Sequence, residues 1–274
     1  MSIRLILSLL VLGLVTTISL SSFAQQTKSA ESEAKFEGVF AQGSADLLKV
    51  QMPILSTLGR LDFCEKDELI KQIEDKKIIY LLTSDHFKKS ILDPKLSRRS
   101  ANDFMSMTEG IIDGFAEKYT RLNEEGQIDQ KVFCDAGEKN AAELLKFESY
   151  EGANEFTADF EKIQSYIPSV KEKFRRSTIR LGVLNNCGNK ELYDRYYEFV
   201  DYESALMNMI KNDDQLKSYE QDDQLYYYNL LATFLAGSAL PEILELATML
   251  TTQELQQEYC AQMAQFVAKD MSPE

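Results

Sequence analysis

The segment GRLDFCEKDEL (59–69) returns as GVLNNCGNKEL (182–192), at an offset of 123 residues. Five positions are identical in the two copies, including Cys64 with Cys187. At the same offset, Lys88, Gly114 and Ala116 recur as Lys211, Gly237 and Ala239. The remaining cysteines, Cys134 and Cys260, are 126 residues apart, which is consistent with a short insertion. The pattern predicts two copies of one structural unit.

The spacing of apolar residues predicts that this unit is helical. Apolar residues recur at helical intervals, proline and glycine are scarce, and strand-type alternation is hard to find. We therefore expect an all-α fold, a tandem duplication of a roughly four-helix unit over 45–150 and 151–274. The expected helices are 45–61, 67–82, a third from Ser100 after a loop at 85–99, and 129–147; then 156–184, 190–211, 222–236, a short one from Pro241, and a last one capped by Thr251.

The N-terminus has the features of a secretory signal peptide. Arg4 precedes an apolar run over 5–20, and small residues stand at the −3 and −1 positions of a cleavage site after Ala24. The alternative is an uncleaved membrane anchor, but the run is shorter than the roughly 20 residues that a spanning helix needs. We expect a signal peptide over 1–24, a polar leader over 25–44, and a mature protein that is periplasmic or secreted, without membrane insertion.

Export gives the four cysteines a structural interpretation, because oxidising compartments favour disulfides. Four cysteines allow three pairings, and the repeat favours one bridge inside each copy, Cys64 with Cys134 and Cys187 with Cys260. A zinc site or thiol chemistry is the rival interpretation. The chain has no C-x-x-C spacing and a single histidine, His86, so we predict structural bridges and no metal site.

Charge and motifs exclude several function classes. The chain has a formal net charge of −14, which disfavours nucleic acids and anionic membranes as partners and favours a basic protein, or simply solubility. No nucleotide-binding loop, serine-hydrolase elbow or zinc-protease motif is present, and the acidic runs lack EF-hand spacing. Carboxylate pairs are abundant, but nothing singles out one pair. We expect no cofactor and no catalytic residues.

The second copy differs from the first in a segment that combines tyrosines with carboxylates. Three consecutive tyrosines on a helix spread over about 200° of its circumference, so at least one of them should be exposed. Exposed tyrosine surrounded by carboxylates suits a surface that binds a basic protein. The alternative is a tyrosine core beside a solvated face. The predicted partner-binding residues are Asp213, Asp214, Glu220, Asp222, Asp223, Tyr226, Tyr227 and Tyr228.

Three function classes remain. The first is an exported, non-catalytic binding protein, such as a periplasmic inhibitor or immunity-type protein that masks a basic partner. The second is a structural or assembly factor of the envelope that uses the helical repeat as a platform. The third is a cell-wall hydrolase that uses two carboxyl groups about 5–10 Å apart. Missing catalytic motifs, export and acidity favour the first class.

Overall fold

A computed structural model describes residues 51–76, 94–147, 158–213, 216–217, 219, 221–249 and 252–272. These residues form ten α-helices and contain no strand, which confirms the all-α prediction. In chain order the helices are α1 Met52–Phe63, α2 Asp67–Asp75, α3 Pro94–Glu124, α4 Gln130–Leu144, α5 Ala158–Ile163, α6 Ile167–Asn186, α7 Lys190–Val200, α8 Tyr202–Asn212, α9 Gln221–Met249 and α10 Gln253–Asp270. A 3₁₀ turn, Gln164–Tyr166, joins α5 to α6.

Both predicted disulfides are present. Cys64, directly after α1, is bonded to Cys134 in α4, and Cys187, directly after α6, is bonded to Cys260 in α10. The bridges close sequence separations of 70 and 73 residues. In the chain-entropy model a loop of this length is worth on the order of 4 kcal/mol. Each bridge therefore ties the end of one helix to a helix that follows much later in the chain.

The long helices α3 and α9 form the centre of the molecule. They run parallel, since Ser106 of α3 donates a hydrogen bond to the Leu230 carbonyl and Arg121, fifteen residues further on, pairs with Glu245. Around α9 pack α3, α6, α8 and α5, and this explains why it is apolar on every side. The first-half helices lie on the other side of α3. Helix α1 packs directly on α3, and α2 and α4 pack against α1.

Glycine allows α3 and α9 to touch through their backbones. A Cβ atom placed on Gly110 would lie 2.3 Å from the Phe234 carbonyl oxygen, and one on Gly237 would lie 2.5 Å from the Met107 carbonyl oxygen. Gly114 is equally close to the Ser238 carbonyl oxygen, at 2.3 Å. Real Cβ contacts are never this short, so each of the three positions excludes any larger residue. The crossing is fixed by bare backbone rather than by interlocking side chains.

Two apolar clusters lie on either side of this crossing. The first-half cluster contains Leu55, Leu58 and Ile111, and α9 contributes Leu240 to it. The second-half cluster is larger and is centred on Phe174, Leu206, Leu231 and other side chains of α6, α8 and α9. Since α9 contributes to both clusters, burial couples the two halves of the chain as well as filling each of them.

Several predicted helix boundaries are wrong, and tertiary packing explains them. The third helix begins at Pro94 rather than at Ser100, so part of the expected loop is its first turn. Residues 190–211 form two helices, because Asp201 has a left-handed backbone with φ of 51°. Pro241 lies inside α9 rather than at a helix start: burial of Leu240 and Ile243 on both sides of it keeps the helix continuous. The last helix is capped by Thr252 instead of Thr251.

No helix among the described residues combines the length and the apolar character needed to cross a bilayer. Residues 1–50, which include the expected signal peptide and leader, lie outside the described residues.

The bare contact between α3 and α9 predicts a strong effect of a single methyl group. Gly110→Ala should destabilise the protein by about 2–4 kcal/mol, because the new Cβ would push α3 away from α9. Urea unfolding followed by circular dichroism measures the change. The matched control is Gly137→Ala in α4, where the new Cβ would lie close to the flexible Arg60 side chain and at an ordinary contact distance of 3.8 Å from Leu61. An equal loss of stability in both variants would contradict the proposed role of the crossing.

Candidate functional site

The predicted tyrosine surface is not a surface. Tyr226, Tyr227 and Tyr228 are 8%, 3% and 1% exposed, so the expectation that at least one is exposed is wrong. Three consecutive tyrosines must include an exposed one only where one side of the helix faces water. Because α9 is enclosed by helices on all sides, even three consecutive tyrosines are buried. Tyr227 still uses its polar end, since its hydroxyl accepts a hydrogen bond of 3.0 Å from Lys162.

The predicted acidic residues have varied environments. Asp213 follows α8, and its carboxylate accepts a hydrogen bond of 2.8 Å from the Leu216 backbone N–H. Asp223 lies in the first turn of α9 and is half-buried. Asp214 and Glu220 lie outside the described residues, as does the side chain of Asp222. Among the predicted acids, the structure therefore describes the side chains of Asp213 and Asp223 alone.

A different group of tyrosines lines a small recess between α6, α7, α8 and α9. We call it the tyrosine recess; its aromatic walls are Tyr193, Tyr197, Tyr202 and Tyr228, and Thr178, Leu181, Gly182, Asn185, Leu206, Ala232 and Leu235 complete the lining. The floor is buried, whereas Asn185, Tyr193 and Tyr197 are half-buried at the rim. The enclosed interior is about 20 Å³, which is room for a group the size of one water molecule.

Hydrogen bonds hold one wall of the recess in place. The Tyr202 hydroxyl donates to the Phe174 carbonyl at 3.1 Å and lies 2.7 Å from the Thr178 hydroxyl. Burial raises the pKa of Tyr202 far above that of a free phenol, so this hydroxyl stays protonated at any physiological pH. The left-handed turn at Asp201 separates α7 from α8 and thereby places Tyr202 beside the ring of Tyr197, at 5.9 Å.

The rim tyrosines are parallel, and the hydroxyl of one of them points into the fold beside another tyrosine. The rings of Tyr193 and Tyr197, one helical turn apart on α7, lie 6.3 Å apart with an angle of 11° between their planes. The Tyr197 hydroxyl is buried beside Tyr228 and makes no well-aligned hydrogen bond. A phenolic oxygen in this position can accept a hydrogen bond from an incoming donor.

The sequence contained a signal for this recess. Tyr193 and Tyr197 correspond, at the 123-residue offset, to Ile70 and Glu74 of the first half. Tyr193, Tyr196 and Tyr197 share one face of α7 by their helical spacing, and stripes of this kind are usually core. Tyr196 is core, at 2% exposed, but its two neighbours are only half-buried. At the 123-residue offset, Tyr193 and Tyr197 stand where the first half has an aliphatic and a charged residue. This difference could have distinguished them from the core residue Tyr196.

A cluster of carboxyl groups occupies the corresponding part of the first half. Glu109 of α3 is partly buried, and burial raises its pKa to about 7, with further contributions from the negative charges of Glu74, Asp62 and Asp113. Asp62 and Glu74 stand at the solvent-exposed edge, and burial raises their pKa values as well. A protonated carboxyl group next to ionised ones is the arrangement that acid–base catalysis uses.

Asp113 connects this cluster to an ion-pair network between the two halves. Its carboxylate lies 2.5 Å from the Lys171 ammonium, which also lies 2.7 Å from Glu117. Arg175 joins Glu117 to Glu242 of α9. The network therefore attaches α6 to both central helices through partly buried charges, where an ion pair is screened less than at an exposed surface.

Metal binding has no evident site in this part of the chain: across the described residues, no group of three or more His, Cys, Asp or Glu side chains is arranged to hold an ion. His86, the single histidine, lies outside the described residues.

Comparisons with models of known protein families, with curated proteins and with solved structures find no match for this chain.

The raised pKa of Glu109 predicts how stability changes with pH. The folded state holds this proton up to about pH 7, whereas an unperturbed glutamate releases it near 4.5, so stability falls as the pH rises through this interval. Because glutamine has no proton to release, Glu109→Gln should lose less stability as the pH rises. It should be more stable than the parent protein by about 2–3 kcal/mol at pH 8, with little difference at pH 4. Urea unfolding between pH 4 and 8 measures it.

The control for this experiment is Glu124→Gln, which changes an exposed carboxyl group at the end of the same helix. It should leave the pH profile of the parent protein unchanged. If Glu109→Gln also left the slope between pH 4.5 and 7 unchanged, the proposed burial of a protonated Glu109 would be wrong.

Proposed function

We propose that this chain is an exported, non-catalytic binding protein, of the inhibitor or immunity type, that masks a basic protein partner. The observation that carries the proposal is the outer side of α7 beside the tyrosine recess. Glu191, Asp194 and Glu198 are exposed there, and Phe199 at the end of the helix is 55% exposed. An acidic surface with aromatic area is suited to attract and then hold a basic protein.

Many cations of neighbouring helices are used in ion pairs, although Lys190 and Arg195 of α7 itself are exposed beside its three carboxylates. Lys171, Arg175 and Arg180 each pair with carboxylates of neighbouring helices and are only about 20% exposed. Lys118 and Arg121 both pair with Glu245 of α9. Since these positive charges are neutralised between helices, much of the net charge of −14 remains for the solvent-facing carboxylates. The resulting field would speed association with a basic partner at low salt.

The acids that follow α8 belong to the same proposed surface. In the sequence, Asp213, Asp214, Glu220, Asp222 and Asp223 fall between the end of α8 and the start of α9, and both helices contribute to the tyrosine recess. Tyr226–Tyr228 take no direct part in it, because they are buried. Their role in the proposal is to pack α9 against the helices that carry the acidic side chains.

Export is part of the proposal. Two disulfides are compatible with an oxidising compartment, and they support the signal peptide expected over residues 1–24. We place the mature protein in the periplasm or outside the cell, where a stapled helical protein resists unfolding.

We also propose that the chain arose by tandem duplication, with units over 45–150 and 151–274. Cys64 and Cys187 occupy the same place, directly after α1 and α6, and each is bonded to a later helix of its own half. Asp129 and Thr252, 123 residues apart, both cap a helix by accepting a hydrogen bond from the N–H three residues on. These shared features support a common origin for the two disulfide-closed units.

Charge reversal on α7 tests the binding proposal. Affinity capture with the mature chain, from an envelope extract of the source organism, should retain a basic protein at low salt and release it at high salt. Asp194→Lys combined with Glu198→Lys should weaken that capture at least tenfold, because both charges would oppose the partner. The matched control is Glu68→Lys with Asp75→Lys on α2, which makes the same charge change in the first half and should have a much smaller effect.

Equal capture by both double variants would show that α7 is not the binding surface. If neither the parent protein nor the variants retained a basic protein, the proposed function itself would fail.

A second candidate function rests on the carboxyl cluster of the first half. Glu109, with a pKa of about 7, beside Asp62 and Asp113, could serve as the general acid of a cell-wall hydrolase. The test is release of soluble fragments from purified peptidoglycan. Activity that is lost in Glu109→Gln and kept in Glu124→Gln would favour this candidate. If the parent protein releases no fragments, the cluster has no such role and only affects stability.

A further inference from the structure

We propose that the tyrosine recess is an aromatic cage for a primary ammonium group, supplied by a lysine side chain of the basic partner. The inference deepens the proposed binding function by naming the chemistry that would enter one site. Four tyrosine side chains line one small space: Tyr193, Tyr197, Tyr202 and Tyr228. Aromatic faces carry negative electrostatic potential, and cages of this kind bind ammonium groups.

The size of the recess suits this group better than a whole small molecule. Its enclosed interior of about 20 Å³ holds one water-sized group, whereas pockets for drug-sized ligands span about 300 Å³ or more. A lysine ammonium is about as large as a water molecule, and its narrow methylene stem can pass between the half-buried rim residues Asn185, Tyr193 and Tyr197.

The polar groups of the recess also match an ammonium. It carries three N–H donors and no acceptor, so it needs oxygen atoms. The buried Tyr197 hydroxyl has no well-aligned hydrogen bond and can accept one. Glu203 of α8 is exposed, and its negative charge helps to raise the pKa of Tyr228. An apolar occupant could neither donate to the Tyr197 hydroxyl nor be attracted by that charge.

The same half of the chain already contains an internal example of this pairing. The Lys162 ammonium lies 5.4 and 5.7 Å from the ring centres of Tyr219 and Tyr227 and donates to the Tyr227 hydroxyl at 3.0 Å. Asp159 accepts a second hydrogen bond from it at 3.1 Å. In the recess, tyrosine rings and a hydroxyl are present without a carboxylate in the lining, and the ammonium would come from the partner.

The first half offers no such site at the corresponding positions. Ile70 and Glu74 stand where the second half has the rim residues Tyr193 and Tyr197. The ring pair is therefore a feature of one half only, and packing of the shared helical unit does not require it. This asymmetry predicts a single lysine-binding recess in each chain.

The test uses the full mature chain and two small probes that differ only in charge. Nα-acetyl-lysine N-methylamide should shift the aromatic NMR signals of the four recess tyrosines, with a dissociation constant in the millimolar range. The norleucine analogue, which has the same stem without the ammonium, should bind about tenfold more weakly. Equal affinity for both probes, or no shift of these signals by the lysine probe up to about 50 mM, would overturn the proposal.

Variants then locate the site. Tyr193→Leu removes one aromatic face at the rim and should weaken binding of the lysine probe about threefold or more; Tyr219→Leu, outside the recess, should not. Tyr197→Phe keeps the ring and removes the hydroxyl, so it should cause a smaller loss than Tyr193→Leu. Because the probe comparison uses the unmodified protein, it decides the proposal even if a variant folds poorly. Probe binding without capture of a basic protein would sustain the cage and reject the wider binding function.

Discussion

The close contact between the backbones of α3 and α9 is the constraint on which the rest of the structure depends. Gly110, Gly114 and Gly237 remove the side chains that would keep the two helices apart. Because α9 then sits deep in the molecule, residues 226–241 are buried almost without interruption and are mostly apolar. The burial of Tyr226–Tyr228 and the unbroken passage of the helix through Pro241 both follow from this position.

The two halves, each with one disulfide, differ in the side chains that surround their helices. In the first half, the space near α2 and α3 contains carboxyl groups around Glu109; in the second, the space beside α7 contains tyrosine rings. One arrangement concentrates like charges, and the other buries the Tyr197 hydroxyl without a well-aligned hydrogen bond. Departures from the best local packing of this kind are common where a protein binds or reacts.

Sequence reasoning was most reliable where a local rule operates without competition. The repeat and the expected redox state were enough to pair Cys64 with Cys134 and Cys187 with Cys260, and helical periodicity gave the fold class. It failed where tertiary contacts override local rules, as at Pro241 and at the tyrosine triplet. Asp201 is a third case, because no local sequence pattern predicts that its backbone is left-handed within a helical stretch. The tyrosine recess could not be located from the sequence alone, since its walls come from four helices.

The parallel arrangement of α3 and α9 has a consequence for how the chain folds. Gly110 meets Phe234, and Ser106 meets Leu230, so contacting residues are 124 positions apart in the sequence. Contacts of such long range form slowly, because a large loop must close before they contribute. While the chain is being made, α3 exists long before α9 and exposes an apolar seam to solvent. A protein built in this way has a long interval in which aggregation competes with folding, and it stands to benefit from a chaperone during that time.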